Sequence, residues 1–189
     1  IVEQAVATNP DGIVLSIADF DTLEGPLEKA TKKGIPFITM NSGTQEQSKA
    51  LGALLHVGQP EFAAGLGAGQ RAKKHGVKSF LCVNHYITNP ASVERCMGFA
   101  KGLDVELGSQ MIDSGSDPTD VETKVSAYLR KNPNTDAILT LGPTSAHPTL
   151  RALEKNRNLK DIYFGTFDLS GEISAAIKDG RINFAIDQQ

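Results

Sequence analysis

Short apolar runs, most of them apolar throughout rather than alternating, recur along this chain with helical patterns between them. The strand candidates are Gly12–Ile17, Ile35–Met40, Leu54–Val57, Val77–Asn84, Ser109–Ile112, Ala137–Leu141, Asp161–Phe167 and Ile182–Ile186. A run without polar alternation suits a parallel strand covered on both faces. The intervening helices are punctuated by residues that stop and start them. Leu27–Lys33 ends at Gly34, Ala63–His75 at Gly76 and Glu172–Asp179 at Gly180, each glycine suited to the left-handed residue after a helix. Asn89-Pro90 and Asp117-Pro118 place a capping side chain before proline at the first helical position, and Ser170 caps the last helix. Strand and helix alternating at this spacing predict right-handed βαβ units, hence an α/β chain with doubly wound parallel sheets.

The composition narrows the function classes. With 19 Lys+Arg against 22 Asp+Glu and no basic cluster, the chain lacks the cationic surface that phosphate neutralisation needs, so nucleic acid is not an expected partner. No apolar run approaches the ~20 residues of a membrane span. At 189 residues the chain is long enough for one large or two small domains with a real core. The segment from Ile1 to Val6 reads as helix interior and Asp187-Gln188-Gln189 follows directly on a strand-like run, so the chain reads as part of a longer protein. His56-Val57-Gly58-Gln59-Pro60 is a breaker cluster, and a crossing between lobes is expected near Gly58–Gln59.

In open parallel sheets ligands sit beyond the carboxyl ends of the strands. Those ends offer Asp19-Phe20-Asp21, Asn41-Ser42-Gly43, Asn84-His85-Tyr86, Gly142-Pro143-Thr144-Ser145, Phe167-Asp168 and Asp187-Gln188. Amides, hydroxyls and carboxylates of this kind suit a polyhydroxyl ligand better than a phosphate. Enzyme motifs are lacking: Gly65-Leu66-Gly67-Ala68-Gly69-Gln70 resembles a dinucleotide fingerprint, but Gln70 stands where the last glycine belongs and the run lies inside a helix. Close packing of that helix on a neighbour is the better reading. Asp19-x-Asp21 reads as a turn and helix cap more readily than as a carboxylate pair, and no further ligand cluster supports a metal. His75 reads as a solvated residue near a helix end and His56 as a satisfied structural group. His85 and His147 follow strands and either face the ligand or serve the scaffold. Cys82 in a strand and Cys96 in a helix are expected to be buried free thiols. No catalytic residue, cofactor or metal is expected.

Several segments, taken in order, carry a family resemblance. These are Asp11-Gly12-Ile13-Val14-Leu15, Gly34-Ile35-Pro36-Phe37-Ile38, Glu94-Arg95-x-x-Gly98-Phe99, Pro133-x-x-Asp136-Ala137-Ile138, Gly165-Thr166-Phe167-Asp168 and Ala185-Ile186-Asp187-Gln188-Gln189. Their ordered spacing resembles the periplasmic sugar-binding proteins of ABC transporters, the type I periplasmic binding protein fold that ribose-binding protein shares with the effector domains of LacI-type regulators. The resemblance implies two α/β lobes clamping a sugar between them by hinge closure. Residues 1–58 would form part of the first lobe and 59–189 the second, with crossings near 58–59 and 188. The first βαβ segment and the final return to the first lobe would be absent. By the same resemblance Arg95, Asp168 and Gln188 bind sugar hydroxyls, and Asn41 stands where the family often has Asp. The chain departs from the pattern at Gly142-Pro143-Thr144, where the family frequently has Asn-Asp, at Ser42, where a basic residue is common, and near Ser114, where an aromatic is familiar. His85, Tyr86, Asp19 and Thr144 are therefore added as candidate ligand residues. The implied protein is a periplasmic monomer that captures a monosaccharide or polyol for an inner-membrane ABC permease. The alternative is a sugar effector-binding domain of a LacI-type regulator.

Overall fold

The computed structural model describes residues 1–156 and 162–188. The chain divides into two compact units, Ile1–Pro60 with Thr88–Ala91, and Glu61–Ile87 with Ser92–Gln189.

The first unit carries α1 (Val2–Ala7), β1 (Ile13–Leu15), α2 (Phe20–Lys32), β2 (Phe37–Met40), α3 (Gln45–Ala50) and β3 (His56–Val57), with a parallel sheet in the order β1-β2-β3. Its core is one-sided. Ile17, Leu27, Phe37 and Leu51 pack together beside a smaller cluster of Val6, Ala30 and Ile35. The alternate strand positions Val14, Met40 and Val57 are exposed. Helix α2 begins at Phe20, well ahead of the expected Leu27, because Asp19 accepts a hydrogen bond from the Thr22 amide and starts it there. Pro26 is tolerated inside it while Phe20, Leu23 and Leu27 anchor that face to the core.

The second unit carries α4 (Glu61–Lys74), β4 (Phe80–Asn84), α5 (Pro90–Leu103, whose first residues group with the first unit), β5 (Met111–Asp113), α6 (Pro118–Lys131), β6 (Ala137–Thr140), α7 (Pro143–Lys155), β7 (Tyr163–Phe167), α8 (Gly171–Lys178) and β8 (Phe184–Ile186). Its sheet is parallel throughout in the order β5-β4-β6-β7-β8. Both faces are covered. Phe80 and Cys82 of β4 join Ala68, Ala72, Phe99 and Leu103 of α4 and α5, while Leu81 and Val83 join Val121, Val125, Leu150 and Ile173 of α6, α7 and α8. This two-sided burial explains why the strand runs are continuously apolar. All eight expected strands are present, seven of them trimmed at their ends and the fifth shifted to Met111–Asp113; Asp161 of the seventh lies outside the described residues.

The expected caps hold. Asp117 accepts from the amides of Thr119 and Asp120, Ser170 from that of Ile173, and Asn89 from that of Ala91. The glycine run in α4 is a packing surface, as read from its position inside a helix. A Cβ at Gly65 would stand 2.2 Å from the Arg95 carbonyl oxygen, and one at Gly98 2.2 Å from that of Phe62. The two helices approach backbone to backbone there, which only glycine permits.

The expectation of free thiols is wrong. Cys82 and Cys96 form a disulfide, with Cα atoms 5.9 Å apart. A helix that follows a strand and packs back on it brings residues 14 apart into contact, and here one cysteine lies on each.

Candidate functional site

The second sheet reverses its direction of growth at β4 and β6, neighbours in the sheet with β5 placed outside β4. Such a switch point leaves a crevice beyond the carboxyl ends of the two strands. Four of the residues singled out from sequence come together at these ends. His85 follows β4, and its Nδ1 lies 3.3 Å from Ser145 Oγ in the first turn of α7 after β6. Burial, and next the positive charge of Arg95, hold its imidazole below its ordinary pKa near 6.5, while Asp168 opposes the shift. His85 is thus neutral at pH 7 and within electrostatic reach of both charges.

Arg95 is buried and tightly held. Its Nε and Nη2 donate to Glu61 at 2.6 and 2.9 Å, its Nη1 donates to the Leu141 carbonyl at 3.2 Å, and its guanidinium carbon lies 4.3 Å over the Phe167 ring centre. Its ion-pair partner is thus Glu61 of α4, on another helix. Glu61 comes from the start of α4 and was not foreseen as a site residue; an acid at a helix start carries no sign of a partner 34 residues on.

Asp168 follows β7 with φ +60, the left-handed region that Asp tolerates better than most residues, and its carboxylate accepts from Gln188 Nε2. Ser170, not Asp168, caps α8. Gln188 is thereby placed in the site by a side-chain bond. Tyr86, in the loop after β4, and Thr144, in the first turn of α7, are exposed. His147 serves the scaffold instead, its Nε2 lying 2.9 Å from Ser170 Oγ and its Nδ1 3.5 Å from Glu172.

In the first unit, Asn41 is exposed and has φ +61, a backbone that its short amide side chain tolerates. Asp19 caps α2, as the bland reading of its motif holds. His56 is satisfied by Thr39, whose hydroxyl lies 2.8 Å from its Nδ1. Among the described residues no group of His, Cys, Asp and Glu could hold a metal. A cleft of about 450 Å³ lies at the opposite, amino-terminal ends of the second sheet, lined by His75, Val77, Asp136 and Tyr163 among others. Its carboxylate, Asp136, is taken up by the amides of Lys78 and Ser79, so the converging charge lies at the carboxyl ends.

Residues 1–189 match the periplasmic binding protein domain family. The chain belongs to that family. It is 31% identical to a carbohydrate transporter of Acidothermus cellulolyticus solved in complex with myo-inositol, with a TM-score of 0.89 over 100% of this chain and 64% of that one. A periplasmic sugar-binding protein of an ABC transporter from Legionella pneumophila shares the fold, at 24% identity and a TM-score of 0.86 over 99% of this chain and 70% of that one. The xylose/arabinose-binding protein of Sulfolobus acidocaldarius is 22% identical over 100% of this chain and 50% of its own length. This periplasmic binding protein domain therefore spans half the length of that curated relative. Its parallel α/β architecture is the type I fold of these structural neighbours.

Proposed function

We propose that the protein is a solute-binding protein that captures a monosaccharide or polyol and delivers it to an ABC-transporter permease, without chemistry on its ligand. The observation that carries this reading is the convergence of Arg95, Asp168, Gln188 and His85 at the switch point of the second sheet. A carboxylate and an amide oxygen accept from hydroxyls, while a fixed guanidinium donates to ring and hydroxyl oxygens. Tyr86 would add a stacking face and Thr144 a hydroxyl. Asn41 and Asp19 are the contributors we assign to the first unit. The ligand-bound form is what an inner-membrane permease would recognise.

The Cys82–Cys96 disulfide supports a periplasmic location, because disulfides persist in oxidising compartments and are rare in the cytosol. It weighs equally against a cytosolic LacI-type regulator. The test is a thermal-shift screen against pentoses, hexoses, their polyols and inositols. A ligand at 100 times its Kd stabilises by about 2.7 kcal/mol, which for a chain of this size raises Tm by roughly 5–10 °C. A rise with one or two related compounds and no product formed is expected. A rise with none of them would sink the reading.

A further inference from the structure

Of the site residues named above, Arg95 is the cation, and the protein itself neutralises it. Glu61 and Arg95 are 2% and 7% exposed, and the carboxylate spans Nε and Nη2 of the guanidinium. Arginine has five N–H donors. Nε, one on Nη2 and one on Nη1 are engaged by Glu61 and Leu141, which leaves a single donor on each terminal nitrogen. An unpaired buried guanidinium would be a strong receptor for a carboxylate or phosphate, through two parallel charge-assisted bonds. Here the protein's own carboxylate occupies that fork. Asp168 adds a second negative charge, and His85 adds no positive one because burial and Arg95 keep it neutral. Neither candidate of the first unit, Asn41 or Asp19, is a cation.

We propose that Glu61 is a specificity-determining residue: by cancelling Arg95 it makes the site a receptor for neutral sugars and polyols and turns away uronates and sugar phosphates. This rests on the sugar-binding reading above and deepens it. The two remaining Arg95 donors suit hydroxyl oxygens, which need hydrogen bonds but no counter-charge. An anionic ligand would meet Asp168 and Glu61, two negative charges against the single charge of Arg95, at separations where like charges still repel strongly in a protein environment.

The test is calorimetric titration of the protein at pH 7.5 with myo-inositol and D-xylose, and with D-glucuronate, D-xylonate and myo-inositol 1-phosphate. The wild-type protein should bind a neutral compound at least about thirtyfold more tightly than its acidic counterpart. Glu61→Gln, which removes the charge at nearly constant volume, should narrow that gap by about tenfold or more. Thermal unfolding of E61Q checks that it is folded. Should E61Q fail to fold, the wild-type comparison still decides, since acids bound as tightly as neutral compounds overturn the inference. A gap unchanged in folded E61Q overturns it too. Tight binding of the acids would leave a small-molecule receptor standing and remove only the role of Glu61. Binding of neither class would remove the sugar-binding reading and this inference together.

Discussion

The two units use one strand–helix grammar and reach different ends. In the second, five parallel strands are buried on both faces, and the order in which strands are added reverses between β4 and β6. In the first, three strands bury one face only, leaving Val14 61% and Val57 58% exposed on the other. The second unit also holds the disulfide, the glycine-mediated helix contact and the buried Glu61–Arg95 pair. The crosslink and the buried ion pair thus lie in the same unit. A switch point between two packed layers can hold a guanidinium in place, whereas the candidates of the first unit are the exposed Asn41 and the helix cap Asp19. On the proposed reading, the second unit is where specificity is set.

The largest effect that could break this contrast is at Arg95. Arg95→Ala removes the cation that neutralises the buried Glu61, and should lower stability by about 3–5 kcal/mol and sugar binding by at least ~2 kcal/mol. Urea unfolding and calorimetric titration would measure the two losses, and an unchanged affinity would remove Arg95 from the site. Next in size is the disulfide. Replacing Cys82 and Cys96 together by alanine should cost about 3 kcal/mol, from the freedom returned to the unfolded chain, and a melting curve unmoved by that change would contradict the account. Gly98→Ala should follow at about 1–3 kcal/mol, because its Cβ would press on the α4 backbone at Phe62 and Leu66.

His85 sharpens the contrast through pH. Its folded pKa is depressed, so the unfolded chain binds its proton more readily and stability must fall as pH drops below its ordinary value near 6.5. His85→Gln should flatten that part of a stability–pH curve, and an equally steep curve would show that His85 is not its source. The smallest effect belongs to the first unit. Val14→Ser should change stability by no more than about 0.5 kcal/mol, as exposed substitutions do; a loss of several kcal/mol would mean that this face is covered in the protein as tested.

Much of this was legible from local signals. The strand runs, the caps at Asp117 and Ser170, the structural role of His56 and the packing role of the α4 glycines all follow from residues close in sequence. The strand-end rule also led to His85, Asp168 and Gln188, and the family resemblance to Arg95. Pairings across the fold were not legible. Nothing near Glu61 announces Arg95, and two cysteines 14 apart say nothing of a disulfide until β4 and α5 are known to pack together. His147 shows the same limit in reverse, since following a strand did not suffice to turn it toward the site.

The most direct test of the central claim is nuclear magnetic resonance of the protein titrated with myo-inositol and D-xylose. The imidazole of His85 and the Nε–H of Arg95 are the reporters at the switch point, with His75 and the Tyr163 ring as reporters at the opposite end of the sheet. Shifts at His85 and Arg95 that saturate with one of these compounds, while His75 and Tyr163 stay still, are the predicted result. Shifts confined to His75 and Tyr163, or none at either end, would contradict it.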